Sequence, residues 1–324
     1  MMDRTPYKLK SWVPEEKLNH SMLSLNPRAI SFISNKIKSS HYDKKFNALC
    51  KNPNGPLILT KYIDTIDWFF LSSNPNAIDI LENNIDKIYW DELSKNPYAI
   101  HLLEKNIDKI NWDILSNNPN AISILEKNID KINWVELSNN PNGIKLLEQN
   151  ESKIDWFWLS DNPNAIHLLK QNIDKIHWPS LSSNINAIDI LKQYPDKIDW
   201  EILSGNKNAI KLLEQNYDKI VWYKLACNEN AIDILKNNID KINWNLITIN
   251  SNSGEIIEQH LDKIDWYWLS ENPMIFEIDY DLLYNRISTY KEELMQKIFH
   301  PKRVFYYIEK YNYCIGLDEY ENDL

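Results

Sequence analysis

Large apolar residues recur along this chain with a period of 22. Tryptophan stands at 68, 90, 112, 134, 156, 178, 200, 222, 244 and 266, with isoleucine two positions before each and leucine or isoleucine three positions after. Unrelated segments would not hold this register, so the pattern specifies one supersecondary unit stacked many times. Within residues 111–132, Ala121, Ile122, Ile124 and Leu125 lie at helical spacing. Asn118-Pro119 before them reads as a helix start, and Asn128 as a left-handed stop, which predicts a helix of about ten residues. A shorter helix is expected from Asn111, with Trp112 and Leu115 three apart. Asp67, Asn133, Asp155, Asp199, Asn243 and Asp265 repeat that capping position, Asn133 with Glu136 resembles a capping box, and Tyr89, His177 and Val221 depart from the pattern. Helices this short do not persist alone. The Ile, Trp and Leu positions are therefore expected to bury against neighbouring units, with Trp134 a buried anchor and Asn118 a helix cap.

A degenerate unit precedes the array, with Phe46 in the tryptophan position and Leu49, Asn52 and Pro53 in register. Asn26-Pro27 lies 26 residues before Asn52-Pro53, so the unit between carries four extra residues. The expected organisation is a degenerate N-terminal repeat and cap over 1–45, a tandem solenoid over 46–275, and a C-terminal helical cap and tail over 276–324. The fold class is then an all-α, elongated solenoid of about eleven two-helix units, roughly 100 Å long at the ~8–10 Å spacing of packed helices. A leucine-rich-repeat horseshoe is the rival, because Ile107-x-x-Ile110-x-Trp112-x-x-Leu115 resembles its strand. That consensus wants asparagine where Leu115 stands.

Composition narrows the function. A net charge of −10 and a pI near 5.3 disfavour nucleic acid and anionic membranes as partners. No apolar stretch reaches membrane-spanning length and no leader is legible. Cys50, Cys227 and Cys314 are few and far apart, which suits a reducing compartment. Five glycines leave no phosphate-cradling loop, and the seven histidines form no metal-binding spacing. No cofactor, metal or catalytic residue is expected, and the chain reads as a non-enzyme. The aspartates that recur from Asp64 to Asp262 suggest a cation ridge or, with a lysine after nearly every one, a solvated edge of loose ion pairs. His300-Pro301-Lys302-Arg303 reads either as a basic docking element or as the start of a final helix whose Val304, Phe305 and Ile308 close the stack.

Variation is concentrated at the two positions after each tryptophan. Stack-forming positions stay uniform between units, while partner-binding positions are free to differ. Phe69, Phe70, Phe157, Trp158, Tyr223, Tyr267 and Trp268 are therefore the candidate binding residues, with local thickening of the core the alternative for Trp158 and Trp268.

The recurring Trp-x-x-Leu-Ser-x-Asn-Pro-Asn-Ala-Ile string resembles tandem-repeat proteins of giant DNA viruses of the mimivirus type. The run Glu292-Glu293-Leu294 to Phe299-His300-Pro301-Lys302-Arg303 is similar to a segment at the ends of proteins from those genomes. The resemblance spans roughly residues 46–303 and supplies no catalytic residues. It implies an intracellular setting, host cytoplasm or virion. The expected function is a repeat scaffold for a protein partner; the alternatives are a virion-associated protein that self-assembles along its length and a horseshoe binding module.

Overall fold

Asparagine or aspartate just before the tryptophan starts the first helix in most units, as expected. In the computed structural model, which describes residues 5–37 and 47–311, the Asn111 side chain accepts from Ile114 N–H and opens helix Trp112–Ser116. Asp67, Asn133, Asp155, Asp199, Asn243 and Asp265 cap their helices likewise. His177 also caps, through Nδ1 to Ser180 N–H, whereas Tyr89 and Val221 do not. The Asn133–Glu136 pair is no capping box: Asn133 N–H donates instead to Ser116 Oγ of the preceding unit at 3.0 Å.

The second helix departs from expectation. It runs only Ile122–Glu126, with Ala121 before it and no side-chain cap. Asn118 is therefore not a helix cap. Its Oδ1 accepts from Asn120 N–H in a local turn, and its amide donates to two carbonyls of the preceding unit, Ser94 at 3.0 Å and Asn96 at 3.1 Å. Asn128 is not left-handed either (φ −137°, ψ 53°); its amide donates back to the Ile124 carbonyl. A short 3₁₀ turn, Ile129–Lys131, leads to the next tryptophan.

The core contains less tryptophan than the pattern suggests. Leu115, Ala121, Leu125 and Leu137 are fully buried, with Ile124 and Ile132 close behind. Every tryptophan of the array, Trp134 included, is only half-buried. Seven lie under a lysine from the following connector, as Lys131 Nζ stands 4.6 Å from the centre of the Trp112 ring. Those lysines cover indole faces, which corrects the expectation of loose pairs with the adjacent aspartates.

What runs through the middle is polar. The asparagine six positions after each tryptophan is buried, and each donates its two amide hydrogens to the unit before. The ladder proceeds from Asn52, which donates to Ser24 and Asn26, to Asn272, which donates to Thr248 and Asn250. It then continues past the ends. Asn26 donates to the Ser270 carbonyl at 3.1 Å and the Asn272 carbonyl at 2.9 Å. Asn19 N–H donates to Ser270 Oγ, Arg28 Nη1 to the Pro273 carbonyl, and Lys17 covers the Trp266 ring. These match the contacts of most internal joints, and Lys10 N–H to Ile275 O and the Phe32–Phe276 ring contact add to them.

The array is consequently an all-α solenoid closed on itself, with twelve ladder asparagines from Asn26 to Asn272. The elongated rod and its terminal caps are corrected: the first unit covers the exposed face of the last. Twelve joints in one full turn average about 30° each, a small per-unit rotation of the kind that curves solenoids. The horseshoe is also excluded, since the described strands are only Tyr7–Leu9 and Phe276–Ile278, paired with each other.

The described residues divide into two units. The ring is Leu9–Glu277. The other comprises residues 5–8 and 278–311, where Asp279 N–H donates to the Pro6 carbonyl and helices Tyr280–Ile298 and Pro301–Tyr311 follow. Pro301 does start a helix, but Phe305 on it is 63% exposed. Phe46, the four extra residues before it and Cys314 lie outside the described residues.

Candidate functional site

Curvature decides which side chains face inward. The tryptophan-led helices of successive units lie directly against one another through the array, and the second helices do not approach as closely. The more tightly spaced layer of a curved stack is its inner one, so the tryptophan-led helices line the lumen. The second helices form the outside, where long polar side chains bridge neighbouring units, as in His101–Glu82 and His167–Glu148, both 2.6 Å. With inner helices ~8 Å apart and a helix radius of ~5–6 Å, twelve of them enclose an opening of about 20 Å.

On each inner helix the third and fourth residues after tryptophan are spent on the core. The first, second and fifth share the opposite face and point into the opening. A cleft of about 330 Å³ along three successive inner helices shows this grouping: Asp113, Ile114 and Asn117 line it from one unit, Lys95 and Glu136 from the units on either side. A second cleft of about 330 Å³ lies at the joint between first and last units, lined by Leu25, Ile249, Trp268 and Glu271.

All seven candidate residues fall on this inner face. Phe69, Phe157, Trp158, Tyr223, Tyr267 and Trp268 are 40–48% exposed, and Phe70 is half-buried. Trp158 and Trp268 are thus surface residues and do not thicken the core. Phe69–Phe70, Phe157–Trp158 and Tyr267–Trp268 each form an edge-on pair with ring centres 5.1–5.2 Å apart. In each pair a capping aspartate holds the backbone: Asp67 accepts from Phe69 N–H, Asp155 from Trp158 N–H and Asp265 from Tyr267 N–H. The pairs stand four, five and three units apart around the ring, so three sides of the opening carry an aromatic anchor. Tyr223 is different. Its hydroxyl donates to the Glu201 carboxylate, and that bond, with partial burial and the carboxylate's charge, raises its pKa above the ordinary tyrosine value.

Residues five positions after tryptophan escaped the sequence reading, although they lie one helical turn beyond the variable positions. Among them Lys51, five after Phe46 in the degenerate unit, stands 4.0 Å over the Phe70 ring, Asp161 accepts from Ser183, and Cys227 opens into the lumen with its thiol pKa raised by partial burial, against the lowering influence of Lys224. Cys50, by contrast, is buried and pushed up to about 11. Among the described residues no group of three or more His, Cys, Asp or Glu is placed to hold a metal ion, and no helix is long and apolar enough to cross a membrane. Compared with protein-family models, with curated proteins and with solved structures, the chain matches none.

Proposed function

We propose that this chain is a non-enzymatic, ring-shaped interaction module that holds a segment of a protein partner in its lumen. The observation that carries this reading is the contrast between positions. Core, ladder and indole-covering residues repeat from unit to unit, while the exposed residues on the inner helices differ and include three aromatic pairs. Rigid exposed aromatics supply much of the energy at protein interfaces. The lumen of about 20 Å admits a helix of ~10–12 Å diameter. The resemblance to giant-virus repeat proteins supports a setting inside a host cell or a virion. Self-assembly along the length is the weaker alternative, because a closed ring has no free terminal unit to extend.

The test is paired. A photo-crosslinker at Asn139, on the inner face, should capture the partner, and one at Lys145, on the outer helix, should not. Replacing Phe157→Ser with Trp158→Ser should leave the melting midpoint nearly unchanged, because both rings are already exposed, and should abolish capture. Crosslinking from Lys145 alone would move the binding surface to the outside.

A further inference from the structure

The lumen has a charge as well as an aromatic character. At the first, second and fifth positions after tryptophan, described units supply seven carboxylates and three lysines. The lysines are all engaged within the wall: Lys51 covers Phe70, Lys95 pairs with Glu92 at 2.6 Å, and Lys224 lies 3.8 Å from Glu201. Five carboxylates remain without a cation among the described residues: Asp91, Asp113, Glu136, Asp161 and Glu271. Asp91 and Asp113 accept from Asn111 and Asn133, and Asp161 accepts from Ser183, so these groups are held in place but not neutralised. Glu271 shares the cleft at the closing joint with Trp268, and Asp161 is on the same inner helix as Phe157 and Trp158.

Resting on the luminal reading above, we infer that the segment held in the ring is cationic and arginine-rich. Closure forces the acidic residues of consecutive units onto one concave wall, where neighbours lie within about one Debye length and their fields add. A neutral or acidic segment entering there desolvates these carboxylates without return. An ammonium would neutralise them, but a guanidinium does two things at once. It takes a carboxylate through a forked pair of hydrogen bonds, and its flat face stacks on an aromatic ring. The lumen offers both within one unit at Phe157–Trp158–Asp161 and again at Tyr267–Trp268–Glu271. The same negative wall repels a nucleic-acid strand of similar width.

The experiment uses the full chain and three labelled 20-residue peptides, one rich in arginine, one rich in glutamate and one of serine and glycine, followed by fluorescence anisotropy. The arginine peptide should bind, at least ~10-fold more weakly at 0.5 M salt than at 0.1 M, and the other two should not. Asp113→Lys, Glu136→Lys and Glu271→Lys together should weaken it at least ~10-fold. Asp174→Lys, Asp196→Lys and Asp240→Lys in the 3₁₀ connectors, away from the first, second and fifth positions after tryptophan and with the same change in net charge, should change it less than ~2-fold. Equal loss in both triple variants would reduce the effect to bulk attraction and overturn the inference, as would preferential binding of the neutral or acidic peptide. To separate this from the luminal reading, a benzophenone on Cys227 in a Cys314→Ser background should crosslink whichever peptide binds. Crosslinking of a neutral peptide keeps the lumen and discards its charge preference; binding of the arginine peptide without crosslinking discards the lumen.

Discussion

At the scale of single residues, the ring is held by leucine and asparagine more than by tryptophan. Leu137 is fully buried between units, and Leu137→Ala should cost about 2–5 kcal/mol through lost transfer energy and a cavity. Trp134 is half-buried, so Trp134→Ala should cost less, about 2 kcal/mol at most, from partial burial alone. Denaturant melts of the two variants check the order; Trp134→Ala as the costlier change would mean that the indoles carry the core after all. Tryptophan is well suited to a half-buried position, since its edge packs while its face stays open to the lysine of the next connector.

The elements are too short to be stable by themselves. Inner and outer helices of four to seven residues sit far below the length at which an isolated helix persists, so each borrows its order from the next unit. Ser116 shows how. Its hydroxyl donates to the Trp112 carbonyl at 2.8 Å and accepts from Asn133 N–H at 3.0 Å, joining the end of one inner helix to the capping residue of the next. Ser116→Ala leaves that amide without its partner at a nearly closed site, and the expected cost is about 1–3 kcal/mol. Thermal melts should show the loss, together with faster amide exchange at Asn133 specifically. Unchanged exchange there would mean that the hydroxyl does not bridge the two helices.

For the whole array, closure changes the arithmetic of neighbour interactions. An open solenoid frays from terminal units that have one neighbour each, whereas every unit of a ring has two. Asn26 and Asn118 make equivalent pairs of hydrogen bonds, to Ser270 and Asn272 in one case and to Ser94 and Asn96 in the other. Each removal leaves buried carbonyls short of a donor, so Asn26→Ala and Asn118→Ala should both cost about 2–4 kcal/mol. In an open rod Asn26 would have no preceding unit to bond, and its replacement would be nearly silent. Equilibrium unfolding of the two variants therefore distinguishes ring from rod.

Much of this was legible in the residues themselves. The 22-residue register, two helices per unit, the aspartate and asparagine caps, and the variable aromatic positions all follow from spacing and local side-chain chemistry, because those interactions are made within one unit. What tertiary structure decided lies between units. Asn118-Pro119 reads locally as a helix start, yet the amide of Asn118 is claimed by carbonyls 22 and 24 residues away. Trp134 reads as core because it is large and invariant in register, yet the space it would fill is taken by Leu137, Ile132 and the ladder. Closure depends on a joint angle of about 30°, which no local pattern encodes and which matters only when summed over twelve joints. Its one trace in the sequence is at the N-terminus. Asn26 keeps the ladder asparagine with which every other unit reaches back to the one before it, and Lys17 holds the position from which a lysine covers the preceding indole in most units; a true first unit would have nothing to reach for.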